Sequence, residues 1–155
     1  MVIRWMMRRD IPEVLEVENE TSANPLTREG LLCHLRRRNC IGMVEEVDDE
    51  IRGFMLYELH RTSLAILKLS VHPNHQRTGV AKSMIRRLKD KLTQQRRRAI
   101  DIEIHEENME AQRFLKEMGF RAYHVQRDYY DDGRSAYYFR YALPMEAPEM
   151  ERIAA

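Results

Sequence analysis

Cysteine is nearly absent. Cys33 and Cys40 are the only two in 155 residues. They make neither a disulfide framework nor a metal-ligand spacing, so both are expected to be buried or idle reduced thiols, and no metal site is expected. Glycine and proline are also few, six and five, which excludes collagen-like and low-complexity chains. No apolar run approaches a membrane span, and the opening MVIRWMMRRD carries no apolar stretch after its charges. Neither a membrane partner nor a secretion signal is therefore expected, and the cytoplasm is the expected compartment. An excess of one charge is missing too: 26 basic residues stand against 25 acidic ones, a formal +1. That balance argues against a general nucleic-acid binder, so no nucleic-acid partner is expected. No feature of the sequence marks an oligomer.

What is present is a globular composition, 43% hydrophobic and 33% charged, at a length that suits one domain with one core. The expected domain is 1–144. The last residues, 145–155, carry little periodicity and are expected to form a flexible tail. Ile3–Trp5 can form a first strand. Asp10 is placed to cap a helix with Pro12 in its first turn, and Thr27 a second helix with Leu31, Leu32 and Leu35 inward. Ile41–Val47 and Ile51–Leu59 read as strands around an acidic turn. Leu64–Val71, apolar on both faces, reads as a central strand. A helix is expected from about Gly79 to Gln94, because Val80, Met84, Ile85, Leu88 and Leu92 recur at helical spacing. Ala99–Ile104 is another strand. Asn108 is placed to cap a helix ended by Gly119, and Arg121–Tyr129 with Ser135–Leu143 close as a hairpin.

The fold class is thus mixed α/β (α+β), a mostly antiparallel central sheet flanked by helices in the order β-α-α-β-β-β-α-β-α-β-β. The unit around the long helix is parallel. Charge is patchy along it. Gln76–Ile100 holds nine basic residues against Asp90, and Asp101–Glu110 holds five acids. Solvated faces account for most of these, and Arg96-Arg97-Arg98 reads as a helix C-terminus satisfied by cations.

The stretch LSVHPNHQRTGVAKSM, Leu69–Met84, has more specific content. An apolar strand ends at a proline, passes a polar loop, and opens a helix through Gln76-Arg77-Thr78-Gly79-Val80-Ala81. Such a junction collects free N–H groups and a helix dipole at one point, which suits a pyrophosphate. Gly79 lets the backbone approach a ligand. The spacing matches neither a dinucleotide fingerprint nor a P-loop.

The pattern resembles the Gln/Arg-x-x-Gly-x-Gly/Ala signature of the GNAT acetyltransferase superfamily. A second segment, IEIHEENMEAQRFLKEMGF (Ile102–Phe120), follows at the family's distance, and the likeness spans roughly Val2–Pro144. Glu103 five residues before Asn108, and QRDYYDDGRSAYYFRYAL, are similar to the ribosomal-protein-alanine and N-terminal acetyltransferase branch. The resemblance implies acetyl-CoA as co-substrate, held by Leu69, Ser70, Val71, Gln76–Ala81 and Asn108, with a backbone N–H near Leu69–Val71 for the oxyanion. It implies Glu103 as general base, and Tyr129 and Tyr130 as acceptor-site residues and possible acids. The implied acceptor is the α-amine of a protein N-terminus. An α-amine needs only a modest base, since about a tenth is already neutral at pH 7, against under ~0.1% for lysine.

Two positions depart from that pattern. Leu115 stands where the branch carries a tyrosine able to protonate the leaving thiolate. Water, Tyr129, Tyr130 or His105 are the substitutes, although His105 reads first as an exposed loop residue. Leu26, in NPLT, stands where the branch carries tryptophan in the acceptor loop. The alternatives are therefore a small amine or lysine as acceptor, a non-catalytic acyl-CoA-binding module, and an interaction protein using Arg96–Arg98.

Overall fold

The computed structural model describes residues 1–144; the expected tail, 145–155, lies outside the described residues. Seven strands form one sheet: β1 (Val2–Trp5), β2 (Cys40–Val47), β3 (Glu50–Leu59), β4 (Ser63–Val71), β5 (Ala99–His105), β6 (Arg121–Gln126) and β7 (Ala136–Ala142). Four helices accompany them: α1 (Ile11–Thr21), α2 (Arg28–Arg36), α3 (Val80–Lys89) and α4 (Met109–Glu117). The sheet order is β1-β2-β3-β4-β5-β7-β6. Among the described residues, only β4–β5 is parallel, as a crossover through α3 requires.

The sheet separates two cores, and β3 shows how. Side chains alternate across a strand. Met55 and Tyr57 accordingly join Met84, Ile85 and Leu88 of α3 and Leu115 of α4, whereas Phe54 and Leu56 join Ile11, Val14 and Val17 of α1 and Leu31 of α2. Fully buried side chains such as Phe54, Phe120 and Phe139 each contribute about 1.5–3 kcal/mol of apolar transfer. Thr27 caps α2 by accepting the Gly30 N–H at 3.0 Å. Gly53 on β3 has a packing role: a Cβ there would lie 2.8 Å from Val80 Cγ1 and 2.9 Å from the Ser70 carbonyl. The start of α3 therefore rests directly on bare backbone.

Four local expectations need correction. Asp10 does not cap α1 with its side chain. Its carboxylate accepts from both terminal guanidinium nitrogens of Arg4, Nη1 and Nη2, at 2.7 and 2.9 Å, and from the Met7 N–H at 2.7 Å. α3 ends at Lys89, not Gln94. The chain then tightens through bonds from Lys91 N–H to Leu88 and from Leu92 N–H to Lys89. Leu92 stays buried in the core, which extends the apolar spacing beyond the helix itself. Arg96–Arg98 consequently lie in the α3–β5 loop and satisfy no helix terminus. The hairpin's first strand stops at Gln126, because Asp128 turns into the left-handed region at φ 51°. Tyr129 and Tyr130 both donate backbone N–H groups to the Arg134 carbonyl at 3.1 Å, so they belong to the connection and not to a strand.

Candidate active site

The parallel pairing of β4 and β5 is short. Ser63–Ile66 match Ala99–Ile102, and there the ladder ends. The cause is visible on β3: Leu56 pairs with Lys68 but Tyr57 with Ile66, leaving Leu67 as the extra residue of a bulge. A bulge bends and twists its strand. Past it, Leu69, Ser70 and Val71 stay paired to Met55, Phe54 and Gly53 on β3. Glu103, Ile104 and His105 stay paired to Tyr138, Tyr137 and Ala136 on β7. The two strands splay, and the inner edge of β4 keeps backbone groups with no strand partner.

The residues expected to hold a pyrophosphate follow at the end of β4. Pro73–His75 form a 3-10 turn, Gln76 Nε2 donates to the Val71 carbonyl at 3.3 Å, and Arg77 takes a left-handed φ of 63°. Gly79 is the N-cap of α3 at φ 91° with no side-chain cap. Among the described residues, the N–H groups from Arg77 to Lys82 meet no protein acceptor. A Cβ at Gly79 would meet nothing within 4 Å, so this cluster of donors opens outward. Val80 differs from its neighbours: its side chain is buried against Gly53, and only its N–H belongs to the loop.

Across the splay, Glu103 is half-buried on β5. It accepts the Tyr130 hydroxyl at 3.0 Å and faces Tyr138 in register on β7. Burial, and then the charge of Glu103, push the Tyr130 hydroxyl well above the usual tyrosine value. The same causes push Tyr138 up to about 12. Both phenols stay protonated donors at neutral pH. Tyr129 is exposed, with its ring edge-on to Tyr130 at 5.1 Å and to Tyr138 at 6.5 Å.

His105 is not the exposed loop residue expected. It ends β5, stacks on Tyr130 at 4.6 Å, and bonds through Nε2 to Asp132 at 2.8 Å. Asn108 is exposed and caps α4 by accepting the Ala111 N–H at 3.1 Å. Leu115 lies on α4 with 1% exposure, inside the core. Among the described residues, no group of three or more His, Cys, Asp or Glu side chains could hold a metal ion.

The sequence profile described as the acetyltransferase (GNAT) family matches residues 2–120. The chain belongs to the GNAT family. An uncharacterized N-acetyltransferase of Methanocaldococcus jannaschii is 26% identical over 138 residues, covering 88% of both chains. The ribosomal-protein-S18-alanine N-acetyltransferase of Escherichia coli superposes with a TM-score of 0.83 at 18% identity, over 94% of this chain and 96% of that one. Ard1 from Thermoplasma volcanium gives 0.83 at 24% identity, over 93% and 98%. These likenesses show the fold.

As a GNAT protein the chain is an acyltransferase, and GNAT enzymes use acetyl-CoA. The open, unpaired donors at Arg77–Lys82 fit a pyrophosphate, and the splay leaves backbone on β4 free beside Glu103. Three side chains escaped the sequence reading. Tyr138 was signalled only by register, one strand away from Glu103. Gln112, 6% exposed on α4, donates to the His105 and Glu106 carbonyls and ties that helix to the end of β5; a polar residue on an apolar stripe was its signal. Glu18, 1% exposed, accepts Leu26 N–H and Lys68 Nζ, each at 2.9 Å, and so anchors the NPLT loop to β4. No helix among the described residues is long and apolar enough to cross a membrane.

Proposed function

We propose that this GNAT protein transfers the acetyl group of acetyl-CoA to the α-amine of a protein N-terminus. The observation that carries the reading is the carboxylate of Glu103 at the splay of β4 and β5, held by the Tyr130 hydroxyl at 3.0 Å and bordered by Tyr138. A fixed carboxylate of this kind can accept a proton from an α-ammonium, directly or through a water. The amine's own pKa near 8 makes that transfer modest, whereas a lysine demands a far stronger base. Tyr129, exposed beside this pair, offers an aromatic wall to an entering chain end.

Bound acetyl-CoA would supply a thioester acetyl group. The backbone donors of Gln76–Ala81 would hold its pyrophosphate, with Leu69–Val71 and Asn108 alongside, while backbone N–H groups on the open edge of β4 would stabilise developing negative charge. Tyr130 stays protonated and keeps its hydroxyl on Glu103, which holds the carboxylate in place.

A second reading, an acyl-CoA-binding module without turnover, draws on Leu115, which is buried and has no hydroxyl to give. Thiol release from acetyl-CoA across a panel of α-amine peptides, lysine peptides and small amines tests both readings. Release specific to α-amine peptides supports the first. Release with lysine or small amines alone replaces the acceptor. Acetyl-CoA binding with no release from any amine replaces the enzyme reading with the module.

A further inference from the structure

The ends at which β4 and β5 begin lie opposite the splay, roughly 13 Å from Glu103 along β5. There the α3–β5 loop and the turn before β4 surround an open cleft of about 540 Å³ lined by Arg61, Thr62, two glutamines (Gln94 and Gln95) and the run Arg96–Arg98. Among the described residues, none of its four guanidinium groups meets a carboxylate. The acids nearest along the chain are committed elsewhere: Glu58 to Arg37 and His60, and Asp101 to Arg140.

The arginines are not carried on loose chain. Thr93 N–H donates to the Arg97 carbonyl at 2.8 Å, Arg98 N–H to Thr62 at 2.9 Å, and Leu143 N–H to Arg98 at 2.8 Å. Arg97 Nε donates to the His60 carbonyl at 2.7 Å, and Gln94 Nε2 to Pro144 at 2.6 Å. Among the described residues, four like charges are thus gathered on a pinned backbone without counter-charge, which raises the local potential that an anion meets.

We propose that this cleft binds the phosphodiester backbone of single-stranded RNA. Guanidinium groups present a planar fork to phosphate and stack on bases, which ammonium groups cannot do. The two glutamine amides and the Thr62 hydroxyl add donors and acceptors of the kind that meet exposed base edges. The lining holds no apolar side chain to enter a bilayer, which disfavours a lipid surface. The formal charge of +1 for the whole chain excludes a protein-wide attraction, and the cleft does not need one. Glu103, Glu106, Glu107, Asp131 and Asp132 lie at the opposite end of β5 and in the hairpin connection beside it. The proposal is independent of which amine is acetylated.

The test is fluorescence anisotropy of a labelled oligouridylate of about twelve nucleotides, with the full-length protein, between about 50 and 200 mM salt. With three or four phosphates neutralised, log K should fall against log salt with a slope of about −2 to −3. The R61Q/R96Q/R98Q variant keeps Arg97, whose Nε holds the loop. It should bind at least tenfold more weakly at the lower salt with a slope flatter by about 2, and the corresponding lysine variant should recover the slope. An unchanged thermal midpoint and unchanged acetyl-CoA binding establish that the variant is folded. No binding by the wild-type protein at the lower salt overturns the proposal, as does an unaltered slope in the glutamine variant. Arginine-dependent binding of polyaspartate or anionic vesicles tighter than RNA overturns it in favour of an acidic peptide or a membrane. Preference for oligothymidylate or inorganic polyphosphate keeps the phosphate chemistry but overturns RNA as its source.

Discussion

Replacing Glu103 by glutamine separates the charge of the candidate base from its shape. The amide oxygen can still accept the Tyr130 hydroxyl that Glu103 accepts at 3.0 Å. The structural cost is therefore the difference between a charge-assisted and a neutral hydrogen bond, about 1 kcal/mol at a half-exposed site. The catalytic cost should be larger. Removing a general base lowers rates by about 10²- to 10⁴-fold, or about 3–5 kcal/mol of barrier. That loss should depend on pH in a specific way. Without the carboxylate the amine must arrive neutral, which about a tenth does at pH 7 and about nine-tenths at pH 9. The variant's kcat/KM should climb about tenfold across that range, while the wild type climbs less, so the deficit narrows by up to about tenfold. Neither phenol beside Glu103 confuses the profile. Burial and the Glu103 charge hold Tyr130 above the usual value and push Tyr138 up to about 12. The assay is thiol release with an alanine-initiated peptide, run at pH 7, 8 and 9. A deficit that is constant across pH, or a variant as fast as wild type, would refute the role given to Glu103.

Four further outcomes are expected. Gly79→Glu places a negative side chain at the open donor cluster and at a left-handed φ of 91°; calorimetric titration should show acetyl-CoA binding lost in a folded protein, and retained affinity would remove the loop from the cofactor site. Leu115→Tyr overpacks a side chain that is 1% exposed, so urea unfolding should register a loss of about 1–3 kcal/mol with no gain in CoA release, and a faster release would show that an acid was missing after all. Arg4 holds the Asp10 carboxyl below the usual carboxylate range, so the stability it lends is full above about pH 4 and is lost as pH falls through the lowered value; Asp10→Asn should cost about 3 kcal/mol at pH 7 and flatten that acid-side loss in urea titrations. Tyr138, raised to about 12, lends stability that is full below about pH 10 and lost between there and pH 12, so thermal midpoints should fall across that window, and less so in Tyr138→Phe.

The strand–loop–helix junction at Gln76–Ala81 was legible because everything it needs is local. A strand, a proline, a glycine with a left-handed backbone and a helix start lie within one short stretch, and the spacing alone shows where free donors gather. The apolar stripe of α3 and the hairpin around Gly133 were legible for the same reason. Reading failed where a distant partner decides. Asp10 looks like a cap until Arg4 on β1 claims it. Leu92 looks helical because the core still buries it after the helix has ended, and that error hid the placement of Arg96–Arg98. Tyr138 meets Glu103 only through the β5–β7 register, and His105 is drawn out of solvent by Tyr130 and Asp132 from the hairpin connection. Strand pairing of this range leaves no periodic trace in either segment.

The bulge at Leu67 has a consequence for how the molecule breathes. Central strands ordinarily contain the slowest-exchanging amides of a protein, released only by global unfolding. Here the middle strand of seven is intact against β3 along nearly its whole length, but loses its other neighbour after Ile66. Alternate amides between Leu67 and Val71 should then differ sharply in deuterium uptake: those directed to β3 slow, those directed to the gap fast. A seam of labile protons would run through the most rigid layer of the fold, and anything that fills the seam would be recorded there as protection, whether or not a reaction follows.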